Sequence, residues 1–105
     1  MKMIRVYLGE KDHHKGVTMH EYILKLCYKK GIAGATVFHG IMGYGRKRHI
    51  HRSDFFSLSG DLPIVIEIID KKENIALIRE EISQLPFDGL MIEKDVDVTF
   101  VNKKK

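Results

Sequence analysis

The chain has 105 residues, 44% hydrophobic and 30% charged, with one cysteine and no tryptophan, which is the composition of one folded domain with no length left for a second. Its 18 Lys and Arg exceed its 14 Asp and Glu to give +4, but four of the basic residues lie in residues 46–52 and three in 103–105, leaving 11 against 14 elsewhere. The body is therefore mildly acidic, which excludes a uniformly basic nucleic-acid coat. A lone Cys27 excludes a disulfide-stapled scaffold. No run reaches the roughly 18 apolar residues of a membrane span, and the N-terminus lacks a signal peptide's apolar core, so direct membrane insertion is not expected and the cytoplasm is the expected compartment.

In chain order, residues 3–8 alternate, with Ile4, Val6 and Leu8 on one face and Met3, Arg5 and Tyr7 on the other, the pattern of a half-buried strand. Gly9 through Gly16 read as a polar loop. The capping box Thr18-Met19-His20-Glu21 opens a helix. Met19, Tyr22, Ile23, Leu26 and Cys27 form its apolar stripe, and Gly31 is its stop. Cys27 belongs to that stripe and reads as a core residue, since no neighbour in sequence would depress its pKa. A second extended region, Ala35-Thr36-Val37-Phe38, runs into the glycine-rich Gly40-Ile41-Met42-Gly43-Tyr44-Gly45 and then the basic segment.

Beyond it comes the short stretch Asp54-Phe55-Phe56-Ser57-Leu58-Ser59, a Gly60-Asp61 turn, and the strongest strand signal, residues 62–69. Apolar residues fall on both of its faces, so it belongs in the middle of a sheet, with Pro63 at its entry where no N–H is needed. Asp70-Lys71-Lys72-Glu73 caps a second helix with the stripe Ile75, Ile78, Ile82 and Leu85, which Pro86 ends. After an Asp88-Gly89 turn, a last extended stretch is expected through Leu90-Met91-Ile92 and on along the alternating Val96, Val98 and Phe100.

Two β-α-β units in succession predict an α+β domain over residues 1–105. The arrangement is the ferredoxin-like βαββαβ fold, a four-stranded antiparallel sheet with both helices on one face, a basic loop at about 45–53 and a tail at 102–105. Each helix has one apolar stripe, so the sheet's other face stays uncovered, with Met3, Tyr7, Val65 and Ile69 expected to line it. Such a face asks for a partner, and self-association is the economical one.

Particular residues carry a resemblance. Gly34-Ala35-Thr36-Val37 followed by Gly43-Tyr44-Gly45-Arg46 resembles the G-x-T-V … G-F-G-R segment that leads into the mobile loop of PII signalling proteins, with one extra residue before the glycine triplet. Residues 62–69 resemble the strand after that loop, proline and glutamate included. The whole chain is still more similar to the uncharacterised short PII-like proteins. Tyr7-Leu8-Gly9-Glu10, His14-Lys15-Gly16, Gly40-Ile41, Ile50-His51, Leu58-Ser59 and Asp61-Leu62-Pro63 also fall in that pattern.

The resemblance implies a homotrimeric regulator with a small-molecule anionic effector between subunits: ATP, ADP or AMP, none of them a required cofactor. By the same resemblance Thr36, Gly43, Tyr44, Gly45, Arg46, Lys47, Glu67 and Gly89 frame the nucleotide or anion site. Arg48, His49, His51 and Arg52 form the loop that meets a protein target, such as a membrane transporter. Gly43 and Gly45 would let backbone amides approach an anion, and the basic residues would add charge-assisted contacts. The chain departs from PII proteins at Phe87-Asp88-Gly89-Leu90, where their G-D-G-K motif has a phosphate-contacting lysine.

Other chemistries read more weakly. Of six histidines, His49 and His51 share a strand face, and His39, His13 or His14 could supply a third metal ligand, yet no Cys or acid stands at ligand spacing. Anion contact or a solvated loop accounts for the same residues, and a ligand-independent adaptor remains the other functional reading. Glu67 in an apolar strand invites a general-base role, against which stands a paired acid or a polar site group. Ser53, His51 and Asp54 cannot converge as a triad from one strand, so enzyme activity is not expected. Adjacent Phe55 and Phe56 face opposite ways, and the stacking platform of an RNA-binding sheet is missing.

Overall fold

The computed structural model describes residues 1–45 and 61–104, together with the backbone of residues 51–52. The expected stretch at Asp54–Ser59 lies outside the described residues. In chain order the elements are β1 (Lys2–Gly9), β2 (His13–His14), β3 (Val17–Thr18), α1 (Met19–Lys29), β4 (Gly34–His39), β5 (Met42–Gly43), β6 (His51–Arg52), β7 (Pro63–Asp70), α2 (Lys72–Ser83) and β8 (Leu90–Asp95). Four of them form an antiparallel sheet in the order β4-β7-β1-β8. This is the ferredoxin-like arrangement, and β7 takes the interior position that its two-sided apolar pattern calls for.

The core lies on one side of that sheet. Ile4, Val6 and Leu8 of β1 and Ile64, Ile66 and Ile68 of β7 meet Met19, Ile23 and Cys27 of α1 and Ile75, Ile78 and Ile82 of α2. Burial pushes the Cys27 thiol up to about 11, which makes it inert as a nucleophile at neutral pH and fits a packing role.

The ends of the helices follow local chemistry. Thr18 Oγ1 accepts from the Glu21 N–H at 3.3 Å, the first half of the capping box. Glu21 does not complete the second half as predicted; its carboxylate lies 3.4 Å from Lys25 Nζ one turn on. Gly31, at φ 72°, closes α1 with Gly31 N–H to Tyr28 O and Ile32 N–H to Cys27 O, the paired bonds of a Schellman motif. At α2 the N-cap is Lys71 and its side chain makes no capping bond. The work falls to Asp70, one residue earlier and 4% exposed. Its Oδ1 accepts from Lys71 N–H and Asn74 Nδ2, and its Oδ2 accepts from Ala33 N–H at 2.9 Å, so one carboxylate ties the start of α2 to the approach to β4.

Two further expectations need correction. The polar loop after Gly9 contains the β2–β3 hairpin, because Lys15 and Gly16, at φ 51° and 86°, supply the two left-handed residues of a type I′ turn. The last strand stops at Asp95 instead of running on to Phe100. Lys2 pairs with Asp95 and Val96 N–H reaches Met1 O at 3.1 Å, so β1 has no residue left to pair with anything beyond.

Candidate functional site

The face of the sheet away from the helices carries three rows fixed by strand register: Gly34–Ile69–Met3–Lys94, Thr36–Glu67–Arg5–Ile92 and Phe38–Val65–Tyr7–Leu90. Met3, Tyr7, Val65 and Ile69 thus share this face, as the alternation predicts. Phe38, Leu90 and Ile92 stand 50%, 46% and 42% exposed on it. The middle row is polar at its heart: Arg5 Nε donates to Glu67 Oε2 at 3.0 Å. That bond first, and then Tyr7, hold the Arg5 guanidinium above its ordinary pKa, so it is a fixed positive charge in the centre of an apolar surface.

Glu67 is therefore an ion-paired acid and not a free general base. Arg5 is the residue that sequence reasoning missed. The signal was available, since β1 and β7 each break an otherwise apolar alternation once, near mid-strand, with opposite charges. An antiparallel pairing sets two such residues opposite one another.

The site residues suggested by resemblance are placed in three groups. Thr36 and Glu67 are register partners, one on the edge strand and one beside it. Gly43 lies at the other end of β7, where a Cβ on it would stand 3.3 Å from Pro63 Cγ. Pro63 is four residues from Glu67, or about 13 Å along the strand. Tyr44 follows, 61% exposed. Gly45 opens on space, since a Cβ on it would meet no described atom within 4 Å. Neither glycine occupies the left-handed region, so their fitness for anion contact is one of access and not of backbone strain. Gly89 stands apart at the β8 edge. A Cβ there would fall 2.3 Å from Tyr7 O and 2.8 Å from the Phe87 ring, so its glycine is required by chain packing. Its edge is about three strand spacings, roughly 14 Å, from β4. One chain does not bring Thr36 and Gly89 together.

Arg46, Lys47, Arg48 and His49 lie outside the described residues. His51 and Arg52 are described by backbone alone, as the β6 strand that pairs Gly43 with His51 and Met42 with Arg52. The other histidines are engaged separately: His39 Nε2 lies 2.8 Å from Glu10 Oε2, His13 Nδ1 meets Lys11 O, the His14 ring meets Tyr22 edge-on at 4.6 Å, and His20 Nε2 lies 3.3 Å from Thr18 Oγ1. Among the described residues no group of three or more His, Cys, Asp or Glu could hold a metal ion, and no helix is long and apolar enough to cross a membrane. A shallow groove between the end of α2 and β8, lined by Ile82, Leu85, Phe87, Leu90 and Met91 among others, holds about 210 Å³. That is below the ~300 Å³ at which small-molecule pockets begin.

This sheet, its two helices on one face and its open side make a fold similar to that of PII-like proteins. CPII from Thiomonas intermedia, a nitrogen regulatory PII-like protein solved with ADP, AMP and bicarbonate, is similar to this chain with a TM-score of 0.69 and 19% identity over 92% of this chain and 86% of that one. A candidate PII-like signaling protein from Thermus thermophilus is similar with a TM-score of 0.65 and 14% identity, over 90% and 85% of the two chains. The chain itself belongs to the family described as Uncharacterized ACR, COG1993 (DUF190), which matches residues 1–98. It is 36% identical to a UPF0166 protein of Aquifex aeolicus over 95% of this chain and 94% of that protein. A UPF0166 protein of Methanocaldococcus jannaschii is 39% identical over 92% and 90%.

Proposed function

We propose that this chain is a homotrimeric PII-like regulator that binds an adenine nucleotide, or a similar anionic effector, in the clefts between its subunits. The observation that carries this reading is the polar row Thr36–Glu67–Arg5 crossing an otherwise apolar open sheet face. A surface of that composition is stable when a neighbouring copy covers the apolar rows and leaves the polar row at the cleft margin. The separation of Thr36 and Gly89 on opposite sheet edges supports the same arrangement, because a neighbour's edge can supply what one chain cannot. The CPII structures, solved with ADP, AMP and bicarbonate, make adenine nucleotides the first effectors to try.

In this reading Thr36 and Glu67 meet the nucleoside, and Gly43, Tyr44 and Gly45 bring backbone close to the phosphates. Arg46 and Lys47 neutralise them. Arg48, His49, His51 and Arg52 then report occupancy to a protein target, for which a membrane transporter is the proposed class, at a cytoplasmic surface.

The test is calorimetric titration with ATP, ADP and AMP at moderate salt, with and without bicarbonate, alongside light scattering. Saturable heat with at least one nucleotide and a mass of three subunits are expected. Absence of both heat and thermal shift with every nucleotide sinks the effector reading, and a single-subunit mass sinks the trimer.

A further inference from the structure

The chain leaves the main sheet at the end of β4 and re-enters it at the start of β7. The glycines and the basic loop assigned above to the effector lie between these two points, so the ends of β4 and β7 form the neck of that segment. Backbone bonds hold the neck from both sides. Gly40 N–H donates to Pro63 O at 2.7 Å, and Glu10 N–H donates to Leu62 O at 2.9 Å. Lys11 N–H adds a bond to Asp61 Oδ1 at 2.8 Å. The departing chain is thus tied to β7 on one side, and the loop after β1 holds the returning chain on the other.

One side-chain pair closes across this neck. Glu10 follows Gly9, the register partner of Pro63 on β1, and His39 ends β4 opposite Ile64. The two residues flank the start of β7 from opposite sides, two strand spacings or roughly 9.5 Å apart in backbone, and His39 Nε2 lies 2.8 Å from Glu10 Oε2. The other acids here are turned to the backbone: Asp12 Oδ2 accepts from Gly9 N–H at 3.0 Å, and Asp61 Oδ1 accepts from Lys11 N–H. Lys11 and Lys15 are the cations of the loop and hairpin. His13 Nδ1 meets Lys11 O, and at the start of α1 His20 meets Thr18 and Glu21 meets Lys25. Imidazole is the side chain that changes charge between about pH 5 and 8. On the acid side of that change Glu10 and His39 are an ion pair; on the alkaline side the ring has at most a neutral N–H to offer the carboxylate.

We infer that the Glu10–His39 pair is a pH-responsive clasp on the neck of the effector segment, tighter when the imidazole is charged and looser when it is neutral. This rests on the reading above for what the segment does, and names a regulation of the same site. β5 begins two residues beyond Gly40 and contains Gly43, so loosening at the neck reaches the backbone assigned to the phosphates. Both side chains are partly open to solvent, at 50% and 37%, which lets protons reach the ring and limits the response to a few-fold change.

The test is hydrogen exchange by NMR on the full chain at about pH 5.5 and about pH 8, with each rate divided by the intrinsic rate at that pH. In the wild type, protection of the Gly40 and Glu10 amides should fall roughly 2- to 5-fold from the lower pH to the higher. His39→Gln keeps a neutral donor and Glu10→Gln removes the charge from the other side; each should abolish the difference. His13→Gln should leave it intact. The Gly31 and Ile32 amides, which close α1 at the other end of the sheet and fray without opening the neck, should be alike at both pH values in all four proteins. Equal protection of Gly40 and Glu10 at both pH values in the wild type, or a difference that survives both His39→Gln and Glu10→Gln, overturns the clasp. A fall that Gly31 and Ile32 share is a loosening of the whole chain and overturns it too. Titration with ADP separates this from the effector reading: absence of heat removes that reading and leaves the clasp standing on exchange, whereas binding without pH-dependent protection removes the clasp alone.

Discussion

Asp70→Ala is the substitution for which the structure allows the most definite expectation. The carboxylate is 4% exposed and accepts from Ala33 N–H, Lys71 N–H and Asn74 Nδ2. Hydrogen bonds to a charged acceptor contribute roughly 1.5–3 kcal/mol each. The three share one acceptor, and water can replace the acceptor at the exposed Lys71, so about 3 kcal/mol is expected in place of the full sum. At about 2.1 cal/mol/K per residue, unfolding 105 residues has an entropy near 220 cal/mol/K, and Tm should fall by about 14 °C. Asp70→Asn keeps one acceptor oxygen and should lose roughly half as much. Burial pushes this carboxyl up, but the bonds from Lys71, Asn74 and Ala33 together outweigh it and hold the folded pKa below the ordinary 3.8. Its contribution is therefore fully present above about pH 4 and lost as pH falls through the lower folded value. Thermal melts at fixed protein concentration from pH 7 down to pH 3 measure both effects. A change of Tm under 3 °C for Asp70→Ala, or a gap between the wild type and Asp70→Asn that widens on acidification, would refute the reasoning.

Other outcomes follow from the same geometry. Gly89→Ala places a Cβ 2.3 Å from Tyr7 O and should cost about 1–3 kcal/mol by displacing the chain. Gly45→Ala, whose Cβ meets no described atom within 4 Å, should leave the melt unchanged; equal effects from the two would contradict the packing assigned to Gly89. Arg5→Glu and Glu67→Arg each set like charges opposite one another on β1 and β7 and should reduce the assembled fraction in light scattering. The double reversal should restore it, and a double variant no better than the singles argues against a role for this pair in the covered face. Arg46→Ala combined with Lys47→Ala should weaken ADP binding by at least roughly 10-fold and flatten its salt dependence; an unchanged titration removes these residues from the phosphate site.

The sheet, both helices and their buried stripes were legible because each rests on local periodicity. Ile64, Ile66 and Ile68 alternate, and Ile75, Ile78 and Ile82 recur at helical spacing, so burial at those positions is already encoded in a window of ten residues. What could not be read depends on partners far away in sequence. The last strand stops at Asp95 because β1 starts at Lys2, a limit that Val96, Val98 and Phe100 do not contain. Asp70 is recognisable as a cap, but its bond to Ala33 joins residues 37 apart. The β2–β3 hairpin was missed because strands of two residues show no period, and only Lys15-Gly16 announced the turn. Arg5 escaped for a related reason: it looks like a solvent-facing residue until Glu67 is set opposite it.

The separation of the candidate residues has a consequence for regulation. Thr36 belongs to one edge of the sheet and Gly89 leads into the strand at the other, so in the proposed trimer a ligand that touches both does so where two subunits meet. In the proposed trimer such a ligand binds the assembled form and not the separated chains. Each site filled at 100 times its Kd then stabilises the assembly by about 2.7 kcal/mol. Assembly and effector binding become one equilibrium: nucleotide should raise the assembled fraction at low protein concentration, and dilution should weaken apparent nucleotide affinity by the same factor. An effector that bound a single chain would show neither effect. Dilution series with and without ADP therefore distinguish a cleft between subunits from a pocket within one, even before any residue is changed.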